Sequence, residues 1–303
     1  MKISYLKHAQ VDKVKWDHCI DNASNGMIYG YSIYLDKMAK HWDGLILDDY
    51  SAVMPLTWNN KYGIYYLYQP PFSASLGIFG NALNAEIVQA FLQAVPVKFK
   101  FWDIYLNAGN VYDSKSFPIY IRHNHLLDLN KSYKTLAAFY SANHTRNIKR
   151  AEQMGCTLQT NIAVEDIVKL AKEQSKQFSR LTCKDYTNFI SLFHDLRSKG
   201  QAITYGVYND QKKLVASCAY VFSHSRAYYI LVGNHPDGRA IGASHFLIDQ
   251  FIRDHAGKQL ILDFEGSQVP TLALFYKGFG SELENYAGLK LNRLPFFAKL
   301  FKK

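Results

Sequence analysis

The chain has 303 residues, 48% of them hydrophobic and 20% charged, enough to bury a normal core in each of two domains of about 150 residues. That balance excludes a disordered chain, a fibrous repeat and a disulfide-stapled miniprotein. With 35 Lys and Arg against 25 Asp and Glu, the net charge of +10 suits acidic partners: nucleic acid, an anionic membrane surface or a phosphorylated ligand.

In chain order, a strand over Ile3–Leu6 precedes a helix over Lys13–Ala23, where Trp16 and Ile20 stand i, i+4 apart on the core side. A second helix is predicted over Ser32–His41, with Ser32 as its cap. The period then changes. Gly44–Leu47, Ser51–Trp58 and Tyr62–Gln69 are β-rich runs divided by Asp48-Asp49 and Asn59-Asn60-Lys61, which predicts an antiparallel meander. Pro70-Pro71 ends it, a loop follows, and a helix over Asn84–Val95 returns to a strand at Phe99–Leu106.

The second half repeats this grammar. One long helix is predicted over Ser132–Met154, closed by Gly155. A strand at Cys156–Thr160 leads to helices over Val164–Phe178 and Lys184–Ser198, the latter opened by Thr182 and Asp185 at capping-box spacing. Strands follow at Ala202–Tyr208, Leu214–Phe222 and Ala227–Val232. A loop enters a helix at Ala243–His255, then come a buried strand at Gln259–Phe264, a helix from Pro270 and a strand pair across Asn285–Arg293.

Residues 49–68 and 213–232 share this order with few identities, so an internal duplication is expected. The fold class is α/β (α+β): two tandem domains, each a mixed, mostly antiparallel sheet flanked by helices. The boundary falls in the polar stretch Arg122–Asn130, giving domains 1–128 and 129–303.

The four cysteines, Cys19, Cys156, Cys183 and Cys218, form no CxxC pair, so neither zinc nor a redox pair is spelled and a reducing, cytoplasmic setting is expected. The first residues never reach the apolar run of a secretory leader, and no window approaches a transmembrane length. No metal-binding spacing is present.

Three segments carry chemistry. Residues 234–246, NHPDGRAIGASHF, follow a strand and open a helix, where freed backbone N–H groups can cradle phosphate. Arg239, Gly242 and Ser244 spell R-x-x-G-x-S, which resembles the Q/R-x-x-G-x-G/A pyrophosphate loop of GNAT acetyltransferases, with Ser in place of the last small residue. On the helix at 132–154, Arg146, Lys149 and Arg150 stand opposite Tyr140, His144, Ile148 and Ala151; they read either as an anion- or tRNA-binding face or as a solvated one. In residues 260–293, Asp263 and Glu265 close a strand ahead of Phe275, Tyr276, Lys277, Phe279 and Gly280.

The pattern D-F-x-G-S … L-x-x-F-Y-K-x-F-G … Y-x-G, with S-x-N-x-x-R-N-I-K-R-A at 141–151, resembles the second GNAT-like domain of the FemABX family. Those enzymes transfer amino acids from aminoacyl-tRNA to peptidoglycan precursors. The resemblance covers most of residues 130–293; in the first half it rests on element order and on WDHCI at 16–20. It implies two GNAT-like domains and places the family's transfer-centre lysine at Lys277, holding a phosphate or the oxyanion. Glu265, at the carboxyl end of a buried strand, reads as the base, Tyr276 and Tyr286 read either as proton donors or as packing aromatics, and Asp263 reads equally as a structural acceptor.

The expected function is therefore acyl or aminoacyl transfer from aminoacyl-tRNA or an acyl-CoA-type thioester to an amine, of a cell-wall precursor or a small molecule. A plain N-acetyltransferase using acetyl-CoA and a non-catalytic paired-domain protein binding an anionic ligand are the alternatives. No firm cofactor is implied. Residues 285–303 hold Lys290, Arg293, Lys299, Lys302 and Lys303 interleaved with Phe296, Phe297, Leu300 and Phe301, a pattern that reads either as peripheral membrane contact or as a docked terminus.

Overall fold

The computed structural model describes residues 2–112, 117–176, 181–266 and 268–294. The C-terminal segment from Pro295 to Lys303, with the aromatic and most of the basic residues of the tail, lies outside them, as does Ser267. Two compact units are present: Met1–Arg122 with Asn285–Lys303, and His123–Glu284.

The first unit begins with β1 (Ile3–Leu6), α1 (Lys13–Asn22), α2 (Ser32–Met38), β2 (His41–Leu47), β3 (Ala52–Lys61), β4 (Ile64–Tyr68), β5 (Phe79–Gly80), α3 (Ala85–Ala94) and β6 (Phe99–Tyr105). Asp12 starts α1 by accepting the N–H groups of Val14 and Lys15, and Trp16 and Ile20 are fully buried. Two expectations change here. Ser32 is not the cap of α2 but its first residue; its N–H and hydroxyl both donate to Asp17. That helix also stops at Met38, because His41 already pairs with Trp58 in the sheet. Strands β2, β3 and β4 form the antiparallel meander, and α3 crosses over to set β6 parallel to β4.

Strand β7 (Ile119–Asp128) leads into the second unit. This holds α4 (Tyr133–Ala137), α5 (Ala142–Gln153), β8 (Thr157–Thr160), α6 (Val164–Ser175), α7 (Cys183–Ser198), β9 (Ala202–Tyr208), β10 (Leu214–Ser223), β11 (Arg226–Asn234), α8 (Pro236–Ile241), α9 (Ala243–His255), β12 (Ile261–Asp263), α10 (Pro270–Lys277) and the start of β13 (Glu282–Asn292). The single helix expected over Ser132–Met154 is two. Ser132 caps α4 and Ser141 caps α5, and the Ser141 N–H donates to the Gly278 carbonyl at 2.9 Å, so the second cap ends the first helix. The strand pair expected over Asn285–Arg293 is one strand, β13, which pairs antiparallel with β6 over Gly288–Asn292.

Within the second unit β8 to β11 are antiparallel, β12 lies parallel to β11, and β7 pairs antiparallel with β12. Each unit thus repeats one scheme: three antiparallel strands, a helical crossover, and a strand parallel to the third. Pairing of β11 with β12 runs only from Arg226↔Ile261 to Tyr228↔Asp263, while β11 continues to Asn234. The strands part there. A register shift between Ala219 and Tyr220 bulges β11 against β10 at the same level.

Candidate active site

The parting of β11 and β12 is fixed by Asp263. This carboxylate is 1% exposed and accepts from Arg226 Nη1 at 2.8 Å, Asn124 Nδ2 at 3.0 Å and the Glu265 N–H at 2.8 Å. Burial works against the Arg226 charge, but the neighbouring Asp263, Tyr228 and Glu284 hold its pKa above the ordinary value. Asp263 is therefore a structural acceptor. Beyond it the backbone reverses: Glu265 has φ +66° and Gly266 φ +76°. The Gly266 N–H donates to Asn124 Oδ1 at 2.6 Å and the Phe264 N–H to the His125 carbonyl at 3.0 Å. A non-glycine residue in the left-handed region costs about 1–2 kcal/mol. Here that turn leaves Glu265 part-exposed at the strand end.

Tyr276 is 8% exposed and stacks on Phe264 at 4.6 Å, with Tyr229 edge-on at 6.4 Å. Burial, and then the nearby Cys218 and Glu265, push its pKa up. It sits beside Glu265 as a packed wall. Lys277, next in the chain, is exposed in the last turn of α10.

One residue here was not anticipated. His125 is 5% exposed, with Nδ1 3.1 Å from Ser281 Oγ. Burial, then the nearby His123 and Lys277, lower its pKa. Its stretch, RHNH, reads in sequence as a polar domain boundary. The available signal was the strand-like Leu126–Leu127 run that follows.

Helix α5 is locked to α10 by His144, which is 4% exposed. Its Nε2 donates to the Phe275 carbonyl at 2.8 Å, so its Nδ1, 2.8 Å from Ser141 Oγ, accepts from that hydroxyl. Phe279 meets the ring edge-on at 4.5 Å and His245 of α9 at 4.7 Å. Burial, with His144 beside it, lowers the His245 pKa to about 4. Gly278 is required by this contact: an added Cβ would lie 2.0 Å from His144 Cε1. On the same helix Arg146, Lys149 and Arg150 are exposed, and Arg146 Nη2 donates to Asn143 Oδ1 at 2.8 Å.

The glycine-containing segment differs from an open phosphate loop. His235 caps and Pro236 opens α8, a short helix. The Arg239 N–H donates to the His235 carbonyl and the Gly242 N–H to the Arg239 carbonyl. Arg239 is exposed, and Gly242 is buried with φ +83°, where a Cβ would lie 2.4 Å from the Asn147 carbonyl oxygen. The Ser244 hydroxyl donates to Asn234 Oδ1 at 2.6 Å. The Arg239 and Gly242 amides and the Ser244 hydroxyl thus have partners within the protein.

The structure thus sets Glu265, Tyr276 and Lys277 on one turn and helix, joins them through His144 to the helix of Arg146, Lys149 and Arg150, and sets Arg239, Gly242 and Ser244 at the α8–α9 junction. Among the described residues no group of three His, Cys, Asp or Glu could hold a metal ion, and no helix is long and apolar enough to cross a membrane.

Residues 139–267 match the model of the acetyltransferase (GNAT) domain. The chain carries an acyltransferase domain of the GNAT type, a span that includes α5, the α8–α9 junction and Glu265 and stops before Lys277. The whole chain is similar in structure to FemX, with a TM-score of 0.67 and 14% identity over 100% of both chains. It is similar to the C-terminal domain of a putative lysylphosphatidylglycerol synthetase from Agrobacterium fabrum (TM-score 0.57, 14% identity, 95% of this chain and 94% of that one). It also resembles L-PGS from Bacillus licheniformis (TM-score 0.56, 10% identity, 96% and 95% covered). These likenesses are of fold. No curated protein matches the chain.

Proposed function

We propose that the chain transfers an aminoacyl group from aminoacyl-tRNA to the amine of a cell-wall precursor. The observation that carries this reading is the contrast between two surfaces. In the segment at 236–242 the Arg239 and Gly242 amides bond to carbonyls of the same turn, so they are not offered to a coenzyme A pyrophosphate. Helix α5 holds Arg146, Lys149 and Arg150 in water while its other face is locked to the helix of Lys277, an arrangement suited to a nucleic-acid backbone. The resemblance to the FemABX family supports the peptidoglycan precursor as acceptor. The four thiols, none in a disulfide, support a reducing cytoplasm.

In this reading the amine nitrogen attacks the ester carbonyl carbon and a C–N bond forms. Glu265 takes the amine proton, Lys277 stabilises the oxyanion, and the C–O bond to the tRNA breaks as its oxygen receives that proton. Tyr276 and Phe264 form the dry wall behind the reacting atoms.

The test is transfer of a labelled amino acid from charged tRNA to an amine acceptor, alongside tRNA binding as a function of salt. Binding should weaken steeply with salt and with Arg146→Ala or Arg150→Ala. Salt-insensitive binding, or a melting temperature raised by coenzyme A and not by tRNA, would overturn the choice of donor in favour of acetyl-CoA.

A further inference from the structure

The second unit holds a cleft of about 300 Å³, at the lower end of the range of small-ligand sites. Leu126, Leu136 and Phe139 contribute its apolar walls, together with Leu283. Phe139 is 65% and Leu283 56% exposed, large apolar surfaces left in water. Asp128, Glu282 and Glu284 supply carboxylates, and Lys131 is the one cation of the lining.

Glu284 already faces Arg226 at 3.7 Å, which leaves Asp128 and Glu282 against Lys131, an acidic lining in a chain of net charge +10. A lining that alternates hydrocarbon with carboxylate complements a ligand with an apolar stem and a cationic head. Asn124 Nδ2 donates to Glu284 Oε2 at 3.2 Å and to Asp263 Oδ1, and Asn124 Oδ1 receives the Gly266 N–H of the turn that presents Glu265.

We infer that this cleft binds an aliphatic amine whose ammonium lies between Asp128 and Glu282 and whose hydrocarbon stem lies against Phe139 and Leu283.

The experiment is an NMR titration of the full chain with n-hexylamine, against 1-hexanol as the neutral probe of equal stem. Hexylamine should shift the amide signals of Lys131, Gly280 and Leu283, bind at least about threefold more tightly than hexanol, and weaken with added salt. The double variant Asp128→Asn, Glu282→Gln removes two exposed charges and should lose that preference with unchanged melting. Leu283→Ser, also at an exposed site, should weaken both probes. Equal binding of hexanol and hexylamine, an unaltered preference in the double variant, or shifts confined to other parts of the chain would each overturn the assignment. Because the readout is binding, failure here leaves aminoacyl transfer standing, and failure of transfer leaves the amine site standing.

Discussion

His144 and Phe275 are tied by one hydrogen bond, imidazole Nε2 to carbonyl oxygen at 2.8 Å, and Gly278 lies so close to that ring that an added Cβ would meet it at 2.0 Å. Gly278→Ala should therefore destabilise the protein by about 2–3 kcal/mol, and His144→Ala by about 2–4 kcal/mol. The double variant should cost less than the sum, because the truncated histidine makes room for the new methyl group. Thermal or denaturant melts of the four proteins of the cycle measure this; strict additivity would refute the contact.

Acid should loosen the same cluster. The folded protein resists charging His245 until about pH 4, and burial also pushes His125, His144 and His255 down. An unfolded chain binds protons on these rings below about pH 6.5. Unfolding thus takes up protons between those values, so stability is full above about pH 6.5 and falls as pH drops towards 4. His245 alone accounts for about 3 kcal/mol at the acid end. Melting temperature against pH should decline over this window, and less steeply in His245→Phe.

Asp263 and Glu265, two residues apart, should separate cleanly. Asp263→Ala strands the Arg226 guanidinium, whose side chain is 19% exposed, and should cost about 3–5 kcal/mol. Glu265→Gln should leave the melting temperature within the change of about 0.5 kcal/mol usual for tolerated sites while lowering transfer by about 10²-fold or more. Parallel melts and single-turnover transfer rates distinguish them; a fully active Glu265→Gln would remove it as base.

Lys277→Ala removes an exposed side chain, so melting should be unchanged while transfer falls by about 10²-fold or more. The His125 pKa should rise, because the Lys277 charge is one of the causes that lower it. A proton NMR titration of the imidazole signals reads this directly, and an unmoved His125 would place Lys277 away from the site.

Much of this fold is legible in local pattern. The period-2 runs give β2 to β4 and β9 to β11, and the Thr182 cap with Asp185 begins its helix as written. What is not legible depends on partners distant in sequence. Ser141 reads as one more helical residue until its N–H is seen to reach Gly278. The glycines at 238 and 242 suggest an open loop. Yet Gly238 is glycine because a Cβ would lie 2.3 Å from the Val215 carbonyl, and Gly242 because of Asn147. His125 is polar and lies in a polar stretch; only its pairing beside Phe264 and Ser281 makes it part of the site. Tyr276 is one of 22 tyrosines, and composition gives no means of separating a wall from a proton donor.

The consecutive left-handed residues Glu265 and Gly266 have a consequence for energetics. A chain bent back at that point cannot lengthen β12 to zip against Tyr229–Asn234, so the notch beside β11 is written into the backbone and needs no substrate to wedge it apart. Its cost is met once, during folding. A substrate entering it finds the geometry already in place and keeps its binding energy for the bond-making step.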